Sequence, residues 1–580
     1  MKLDEALLHL GAHGRFQVLV YLAISTFDNL LGIWHMSVMT FLGYEPAHHC
    51  KLNDGAEYNL SIPMLEKGGI DKCNMYEYYE NDTYSQDKVK CTNGWTYSKE
   101  PIRTSIVTEW NLVCSRNVLP ETSSMVFNFG VMFGALLFGF FSDKFGRKSS
   151  FLFACVVQAI VGTATAFSTN FYMFMILRFF VGALEQGVNI TGFIMATELF
   201  PPRQRTIYSV THEFFWAIGG AFLPVFAYFL RDWRPLQITI SAPGILALAL
   251  WWLIPESVVW LVSQGRIKDA EVILEKAAKF NNKTLPPNSL SSTYECEETK
   301  PMLENGGHGN MEMADNVGND ENHVSTPTSP TSVTSRISMG KRRTYTIIDL
   351  FRTPHMRKIS FCMAGLWALN TMVYYGLSYN TPNLNGDMYV NYFIGQMVEI
   401  PSVAVTMFLM YKIGRRWPLC FFHIFGGIVC MASPFVPQKT ASGTDLTWVS
   451  VFLAMLGKFA INSSFTVIYV YAPEIYPTVV RNTGAGFASL CGRFGGIVFP
   501  YINYLSKLDS PIAKQLPLLV FGVLSVIGGL LALPLPETRD KPLAETIEDI
   551  ENYDEFCRRA TNLEGQVKPP ETSREEDTRV

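Results

Sequence analysis

Several charged side chains occur inside long apolar stretches of this sequence, where burial makes each of them costly. Arg493 lies in the run LCGRFGG, and a guanidinium offers the planar donor fork that binds a carboxylate. Acids in comparable positions could face an ammonium group: Asp28, Glu185, Glu213 and Glu399. A site with both signs of charge suits a zwitterion. The alternative is an internal salt bridge between Arg493 and one of these acids, without any ligand contact.

Aromatic residues in the same stretches offer a second way to hold a cation. A quaternary ammonium group is attracted to ring faces by about 0.5–2 kcal/mol each. The candidates are Tyr375 and Tyr469 first, then Trp216, Trp367, Tyr374 and Tyr471. Lys458 is a further candidate ligand or else a bridge partner. Packing is the simpler interpretation of many such rings, and we interpret His35 and His212 as packing or membrane-interface residues rather than proton relays.

The elements that must position these residues are membrane helices. The chain has 580 residues, of which 48% are hydrophobic and only 17% are charged, whereas soluble proteins average roughly 25% charged residues. A bilayer-spanning helix needs about 20 apolar residues, which predicts an all-α membrane protein with about twelve transmembrane helices. The predicted spans are 16–43, 121–142, 149–168, 170–190, 207–230, 236–254, 359–380, 388–411, 417–436, 446–470, 482–505 and 514–535.

Polar stretches divide these helices into two groups of six. The predicted divisions are an N-terminus at 1–15, a first bundle at 16–254, a linker at 255–358, a second bundle at 359–535 and a tail at 536–580. Residues 281–345 are rich in Ser, Thr and Pro and carry possible phosphorylation steps at Thr326 and Ser329. We predict disorder there and in the charged tail 540–580, because neither has enough apolar area to fold alone.

Basic residues in the loops predict the orientation in the membrane. They collect on one side: Lys144, Arg147, Lys148, Arg203, Arg205, Arg266, Lys268, Lys341 to Arg343, Lys412, Arg415 and Arg416. We expect that side, with both termini, to be cytoplasmic, which makes segment 44–120 extracellular. The cysteines of this segment predict two disulfides with three possible pairings: Cys50, Cys73, Cys91 and Cys114. Asn59 and Asn81 are candidate glycosylation acceptors.

Three motifs recur in the same order in the two halves. Gly139-x3-Asp143-Lys144-x-Gly146-Arg147-Lys148 is matched by Tyr411-Lys412-x-Gly414-Arg415-Arg416. Glu198-Leu-Phe-Pro201 with Arg205 is matched by Glu474-Ile-Tyr-Pro477 with Arg481, and Pro255-Glu256-Ser257 by Pro536-Glu537-Thr538. This repetition indicates a duplicated six-helix unit whose two bundles enclose a cavity at the membrane midplane.

We interpret the charged motif residues as a conformational gate at the cytoplasmic helix ends, where opposite charges can pair across helices. The set comprises Asp143, Arg147, Arg178, Glu198, Arg205, Glu256, Arg415, Glu474, Arg481 and Glu537. Breaking these pairs would open the cavity inward. The alternative is that they only orient the helices. Tyr411 stands where the first repeat has Asp143, so the repeat is asymmetric and the corresponding ion pair is not predicted.

These residues resemble the major facilitator superfamily, and within it the organic cation, anion and zwitterion transporters of solute carrier family twenty-two. The resemblance covers nearly the whole chain, including Gly11-x2-Gly14-x-Phe16-Gln17, Glu109-Trp110-Asn111-Leu112-Val113-Cys114, Arg231-Asp232-Trp233-Arg234, Leu350-Phe351-Arg352-Thr353-Pro354 and Val398-Glu399-Ile400-Pro401. It implies the major facilitator fold. Cation carriers of the family tend to have Asp at the position of Arg493, whereas anion and carnitine carriers have Arg. Val403 stands where anion carriers often have Lys.

Residues and resemblance together predict a plasma-membrane carrier of organic cations or zwitterions that works by alternating access. Carnitine-, betaine- and β-amino-acid-like solutes are the expected substrates. The alternatives are an organic anion exchanger using Arg493 and a transport-inactive receptor or scaffold. The sequence lacks phosphate-loop, zinc and nucleophile spacings, so we expect no enzyme activity, cofactor, metal or nucleic-acid partner. The solute gradient, exchange or a coupling ion (Na⁺ or H⁺) would drive transport, and the oligomeric state is open.

Overall fold

Long helices make up most of the chain in this computed structural model. It describes residues 3–11, 13–52, 57–64, 69–79, 83–91, 93–286, 290, 345–381, 384, 386–437, 439, 445–508, 510 and 512–558. In chain order the long helices are α1 Arg15–Ser37, α2 Leu119–Phe145, α3 Arg147–Thr165, α4 Phe171–Glu198, α5 Pro202–Phe229, α6 Trp233–Leu253, α7 Pro354–Asn380, α8 Met388–Ile413, α9 Arg416–Ala432, α10 Thr447–Ile475, α11 Arg481–Tyr504 and α12 Leu516–Ala532.

The helices of the described residues fit a twelve-span membrane protein. Eleven of them are long and apolar enough to cross a membrane by length and composition. The twelfth is α7, whose 27 residues also suffice to span the bilayer core. Its mean hydropathy is lowered by polar residues such as Asn370, Tyr374 and Tyr375, all of which are buried against other helices. The predicted all-α fold with twelve transmembrane helices in two six-helix bundles is confirmed.

Two of the spanning helices are interrupted where proline makes regular hydrogen bonding impossible. Helix α6 passes through a 3₁₀ segment, Ala242–Leu246, which contains Pro243. Helix α8 consists of Met388–Met397 and Glu399–Ile413. The ring of Pro401 removes one donor and crowds the carbonyl four residues earlier, which belongs to Met397. The break therefore places Glu399 in the first turn of the second segment.

Segment 44–120 contains two small antiparallel sheets, which the sequence did not predict. Strand β1 (His48–Cys50) pairs with β4 (Trp95–Tyr97), and β2 (Asn74–Tyr79) pairs with β3 (Thr83–Lys90). The registers place His48 opposite Tyr97 and Asn74 opposite Lys90. Short helices Tyr58–Ser61 and Ile106–Trp110 complete the segment.

Two disulfides hold this segment together, as predicted. Cys50 pairs with Cys91 and Cys73 with Cys114, which selects one of the three possible pairings. The second bond ties the segment to the residues that lead into α2. Of the two candidate glycosylation acceptors, Asn59 is exposed on the helix Tyr58–Ser61, whereas Asn81 lies outside the described residues. Modification at both sites stays a prediction.

The opposite face of the molecule carries short helices from the N-terminus, the linker and the tail. They are Leu3–His9, Val258–Ser263, Ile267–Phe280, Asp349–Arg352 and Ile547–Glu551. The predicted disorder of the tail is wrong for residues 545–558. Thr546 forms a capping box with Asp549, and this box starts a helix whose apolar side, Ile547 and Ile550, is buried against the C-terminal bundle. Thr326 and Ser329 lie outside the described residues.

The two halves contact each other at one end of the molecule and not at the other. We call the end with segment 44–120 the loop face, and the end with these short helices the terminal face. Hydrophobic clusters at the terminal face belong to one half each, and the core around Phe151 and Leu274 is separate from the core around Met363 and Ile550. Clusters nearer the loop face mix residues of both halves, such as Phe41 with Tyr392. The described helices are therefore joined at the loop face and separate at the terminal face.

Candidate transport site

Glu399 is the centre of a hydrogen-bonded cluster between the halves. Its carboxylate lies 3.1 Å from Lys458 Nζ of α10, and both side chains are buried to 2% exposure. Tyr374 of α7 donates its hydroxyl to the same carboxylate at 3.0 Å. Trp216 Nε1 of α5 donates to that hydroxyl at 3.0 Å, so the cluster reaches across to the N-terminal half. Lys458 is thus a bridge partner, one of its two predicted roles.

The other predicted aromatic residues line the same region, with one exception. Trp367 and Tyr469 pack edge to face with ring centroids 4.8 Å apart, and Tyr374 and Tyr375 do so at 5.2 Å. Tyr469 exposes 43% of its surface although it sits in mid-helix, so it borders open space between the helices. Tyr471 is the exception, because its hydroxyl donates to the Pro536 carbonyl near the terminal face. Tyr471 therefore lies apart from the other candidate residues.

Arg493 is half-buried and lies beside these rings. It interacts electrostatically with Tyr375, Tyr469 and Glu185. No ion pair of Arg493 occurs among the described residues, whereas Glu399 has Lys458. The alternative in which Arg493 forms an internal salt bridge is therefore not what the structure shows. Its guanidinium can still donate hydrogen bonds to a carboxylate.

Glu185 faces Arg493 from the N-terminal half. It is 3% exposed, and its Oε2 has no hydrogen-bond partner. Gly32 of α1 makes space for it, since a Cβ there would lie 3.4 Å from Glu185 Oε1 and 3.3 Å from the Trp216 ring. Arg493 and Glu185 thus present opposite charges to one region.

A second buried polar group joins α1 to α5. His212 Nε2 lies 3.0 Å from Asp28 Oδ2 and 3.0 Å from Asn29 Nδ2. His212 Nδ1 lies 3.0 Å from the Ser25 hydroxyl. Asp28 is fully buried at 0% exposure. His212 therefore does more than fill space between helices, because it joins a hydrogen-bonded group. The sequence around His212 could not show this, since its partners Ser25, Asp28 and Asn29 lie on α1.

Acidic side chains cluster at the centre of the described helices. They are Asp28, Glu185, Glu213 and Glu399, and the basic side chains Lys458 and Arg493 lie among them. Glu213 interacts electrostatically with Asp28 and Glu399 and so links the two polar clusters. Uncompensated charge in a buried site is costly. Each of these acids therefore needs a basic partner, a hydrogen bond or a bound proton.

Arg178 is not at the cytoplasmic helix end where we predicted it. It lies twenty residues before Glu198 on α4, about 30 Å along the helix axis. Its guanidinium donates twice to the His35 carbonyl at 3.1 Å and stacks 4.1 Å from the Phe127 ring centroid. The side chain is fully buried, and it ties α4 to α1 and α2 on the loop-face side of the centre.

At the terminal face, the Pro-Glu-Ser and Gly-Arg motifs of the first half meet. Glu256 Oε1 accepts from the backbone N–H groups of Arg147 and Lys148, both at 2.9 Å. These are unsatisfied first-turn donors of α3, and a carboxylate there also favours the helix dipole. Gly146, at φ +100°, allows the approach, because a Cβ would lie 2.4 Å from Glu256 Oε2. Arg147 Nη1 also pairs with Asp143 at 2.5 Å.

The second half repeats this arrangement with one change. Glu537 accepts from the backbone N–H groups of Arg415 and Arg416 at 2.8 and 3.1 Å, next to Gly414 at φ +112°. Since Tyr411 replaces the acid, Arg415 turns to Glu474 and binds it through two hydrogen bonds of 3.0 Å. The second half thus has an ion pair that the sequence did not predict.

Other predicted gate contacts differ from expectation. Glu198 and Arg205 do not form a direct pair, because Glu198 accepts from the Ser257 hydroxyl at 2.5 Å and Arg205 Nε donates to the Phe200 carbonyl at 2.9 Å. Arg481 makes the equivalent contact with the Tyr476 carbonyl at 3.4 Å. All these contacts lie within one half. The gating role of these residues stays a prediction.

Sequence reasoning missed the ion pairs that close the loop face. Lys507, just after α11, lies 3.2 Å from Glu121 of α2 and 3.5 Å from Glu45. Nearby, Tyr389 donates its hydroxyl to the Pro101 carbonyl at 3.0 Å. Each of these residues lies next to an apolar stretch, where polar side chains are common at the membrane surface. No local sequence pattern therefore indicated that they form ion pairs.

Duplicated six-helix halves around a charged, aromatic-lined centre define the class of membrane carriers that bind a small solute between two moving bundles. Residues 121–500 match the Major Facilitator Superfamily. An organic cation transporter protein of Drosophila melanogaster is 37% identical over 564 residues, which cover 95% of each chain. The human organic cation/carnitine transporter 2 is 33% identical, covering 94% of this chain and 93% of that one.

Two further comparisons agree. Mouse solute carrier family 22 member 21 is 33% identical over 96% of this chain and 94% of its own. The xylose transporter XylE of E. coli, in a partially occluded inward-open conformation, has a TM-score of 0.57 at 16% identity, covering 91% of this chain and 99% of its own. That likeness concerns the fold alone. The chain belongs to the major facilitator superfamily, and within it to the solute carrier family 22 transporters. It is a membrane transporter of small molecules and not an enzyme.

Proposed function

We propose that this protein carries small organic cations or zwitterions, of the carnitine, betaine or β-amino-acid type, by alternating access. The observation that carries the proposal is the centre itself. Arg493 has no ion-pair partner among the described residues and faces Glu185, while Tyr375 and Tyr469 border the same region. A carboxylate of the substrate binds Arg493, and an ammonium group binds the acids and ring faces. The names of the relatives, organic cation and carnitine transporters, support this class.

The acids around the centre separate this proposal from organic anion exchange. A positive group of the ligand can pair with Glu185, Glu213 or Glu399. A dicarboxylate has no such group, although Arg493 could bind one of its ends. A coupling cation, Na⁺ or H⁺, would pair with the same acids.

We further propose that the carrier lies in the plasma membrane with the loop face outside and both termini in the cytoplasm. Disulfides are typical of an extracellular compartment, and the basic motif residues lie at the terminal face. The separate hydrophobic cores at that face support an inward-open conformation in this structure. The Glu256 and Glu537 networks keep the inner end of each half rigid as the halves rock.

The test is uptake of one cation, one zwitterion and one dicarboxylate by cells that express the protein at their surface. The wild type is expected to take up the cation or the zwitterion. Arg493→Asp should lose at least ten times more zwitterion uptake than cation uptake, because only the zwitterion presents a carboxylate. Arg116→Asp, the same change at an exposed position on the loop face, is the matched control and should leave both unchanged.

Three outcomes would contradict the proposal or the role of Arg493 in it. Uptake of the dicarboxylate alone would indicate anion exchange. Surface expression without uptake of any of the three solutes would favour a transport-inactive receptor. Equal loss of cation and zwitterion uptake in Arg493→Asp would assign Arg493 a structural role instead.

A further inference from the structure

We propose that a groove at the terminal face binds the headgroup of an aminophospholipid, a lipid with a primary amine beside its phosphate. The groove has a volume of about 560 Å³. It lies where α7 and α9 begin and α12 ends, and the tail segment 550–555 lines its remaining side. The groove shares no residue with the proposed transport site, so the inference does not depend on which solute is carried.

The helix ends around the groove place it at the border of the membrane. α12 ends at Ala532, and Leu533 of the groove follows directly. α9 begins at Arg416, and its neighbour Trp417 is 54% exposed, as is typical of aromatic residues at a membrane–water interface. Phe421, further along α9, is 56% exposed. The acyl chains of a lipid can therefore run along α9 while its headgroup occupies the groove.

The bundle side of the groove is basic. Arg416 of α9 and Lys358 of α7 both line it, and neither forms an ion pair within the part of the chain that the structure describes. The guanidinium of Arg416 lies 5.1 Å from the Trp417 ring centroid, and its Nε is buried without a hydrogen-bond partner among the described residues. A buried donor without a partner is costly. A phosphate oxygen satisfies it, since basic side chains donate short charge-assisted hydrogen bonds to phosphate.

A third basic residue of the groove already has a partner. His355 Nδ1 lies 3.0 Å from Glu551 Oε2, and Glu551 Oε1 accepts from the backbone N–H groups of His355 and Met356 at 2.9 and 3.1 Å. This contact fastens the tail to the first turn of α7. It holds the next residues of the tail, Asp554 and Glu555, at the opposite wall of the groove.

The tail side of the groove is consequently acidic. Asp554 and Glu555 are both exposed there, and they would repel a headgroup that carries negative charge alone. A primary ammonium group offers donors for these carboxylates. In phosphatidylethanolamine an ethylene group separates the ammonium from the phosphate, so one headgroup presents a charge of the right sign to each wall. A choline headgroup has no N–H donor, and a glycerol headgroup has no positive charge.

The experiment is lipid retention by the purified full-length protein, measured by native mass spectrometry. The probe is an equal mixture of phosphatidylethanolamine, phosphatidylcholine and phosphatidylglycerol with the same acyl chains. We expect one phosphatidylethanolamine to be retained with a preference of about fivefold over the other two, a size typical of one charged contact at a membrane surface. Arg416→Gln and Lys358→Gln should each lower this retention about fivefold, and the second variant serves if the first does not fold.

Asp554→Lys tests the acidic wall separately. It should reverse the preference towards phosphatidylglycerol, because the tail side then attracts negative charge. The controls are Lys268→Gln on the helix Ile267–Phe280 and Glu548→Gln on the tail helix, both exposed at the terminal face outside the groove, and both should behave as the wild type. Equal retention of the three lipids by the wild type would overturn the inference. An unchanged preference in all three groove variants would do the same, since it would indicate only ordinary lipids around the helices.

A second measurement separates a lipid from a soluble phosphate ester. The melting temperature in detergent should rise with a short-chain phosphatidylethanolamine and not with the same concentration of free phosphoethanolamine, because the acyl chains add apolar contact. An equal rise with the free compound would assign the groove to a soluble ligand and refute the lipid site. Neither measurement involves transport, so failure of the proposed function would leave both results unaffected.

Discussion

Lys507 Nζ lies 3.2 Å from Glu121 Oε1, and this ion pair joins the C-terminal half to the N-terminal half at the loop face. Glu45 lies 3.5 Å from the same ammonium group. Their side chains are about one-fifth exposed, at 20%, 17% and 22% for Lys507, Glu121 and Glu45. The contact can form only when the loop face is closed, so its free energy biases the carrier towards the conformation seen here.

Removing this contact should make the loop face open more often. Lys507→Met deletes a partly buried pair worth about 1 kcal/mol, which corresponds to about a fivefold shift between conformations. The readout is the rate at which a charged thiol reagent, added outside cells, labels a cysteine placed at Val38, which is fully buried. Lys514→Met, at an exposed position on the same face, is the control. An unchanged labelling rate in Lys507→Met would show that the pair does not hold the face closed.

The close approach of Glu256 to Gly146 predicts a strong effect of one methyl group. Gly146→Ala forces an alanine to φ +100° with its Cβ 2.4 Å from Glu256 Oε2, which should cost about 1–3 kcal/mol. Gly414→Ala should cost a similar amount, since its Cβ would lie 2.6 Å from the Glu537 carboxylate. Thermal unfolding in detergent measures both. Gly139→Ala, in α2 with open space at its Cβ, should be neutral or slightly stabilising.

The hydrogen bond between Trp216 and Tyr374 should couple the halves in function. Tyr374→Phe and Trp216→Phe each remove it, so the effects of the two changes on KM should be less than additive in the double variant. We expect a coupling free energy of about 0.5–1.5 kcal/mol from a single such bond. This double-mutant cycle contains its own control. Strictly additive effects of the two single variants would mean that the two side chains act independently.

Acid should weaken the contact between the tail and α7. Burial opposes ionisation of Glu551, but hydrogen bonds from His355 and Met356 hold its pKa below the ordinary value. Its contribution to stability is therefore complete above the unfolded-state pKa of about 4.3, and it is lost as the pH falls through the lower native value. Glu551→Gln should melt below the wild type at pH 7 and approach it at acidic pH.

The control for this prediction is Glu548→Gln. Glu548 lies in the same short helix but is exposed, so its replacement should have little effect at either pH. A constant difference between Glu551→Gln and the wild type from pH 7 to the acid range would mean that the hydrogen bonds, rather than the charge, stabilise the tail.

The sequence alone predicted the duplicated six-helix halves and the charged and aromatic residue types between them. Apolar length and loop charge suffice for twelve helices, and ionisable residues in apolar runs identified Arg493, Glu399 and Asp28 correctly as buried or half-buried groups. Their roles in binding stay predictions. These residues could be recognised from the sequence because each is an ionisable side chain within an otherwise apolar stretch.

Partners could not be predicted in the same way, because they lie far apart in the chain. Glu256 meets the N–H of Arg147 from 109 residues away, and Lys458 meets Glu399 only after α8 and α10 pack. Arg178 was predicted at a cytoplasmic helix end, but twenty residues of helix separate it from that end. The tail helix is stabilised by the burial of Ile547 and Ile550 against the C-terminal bundle. The local sequence of the tail gives no sign of this contact, because the bundle precedes it in the chain.

The different partners of the two motif arginines make the halves unequal in their response to salt. Asp143 is 71% exposed and holds Arg147 through one contact, whereas Glu474 and Arg415 are both 23% exposed and share two hydrogen bonds. Dissolved ions screen the first pair more than the second. We therefore expect high ionic strength to weaken the Asp143–Arg147 pair more than the Glu474–Arg415 pair, so that the two duplicated motifs differ in their sensitivity to salt.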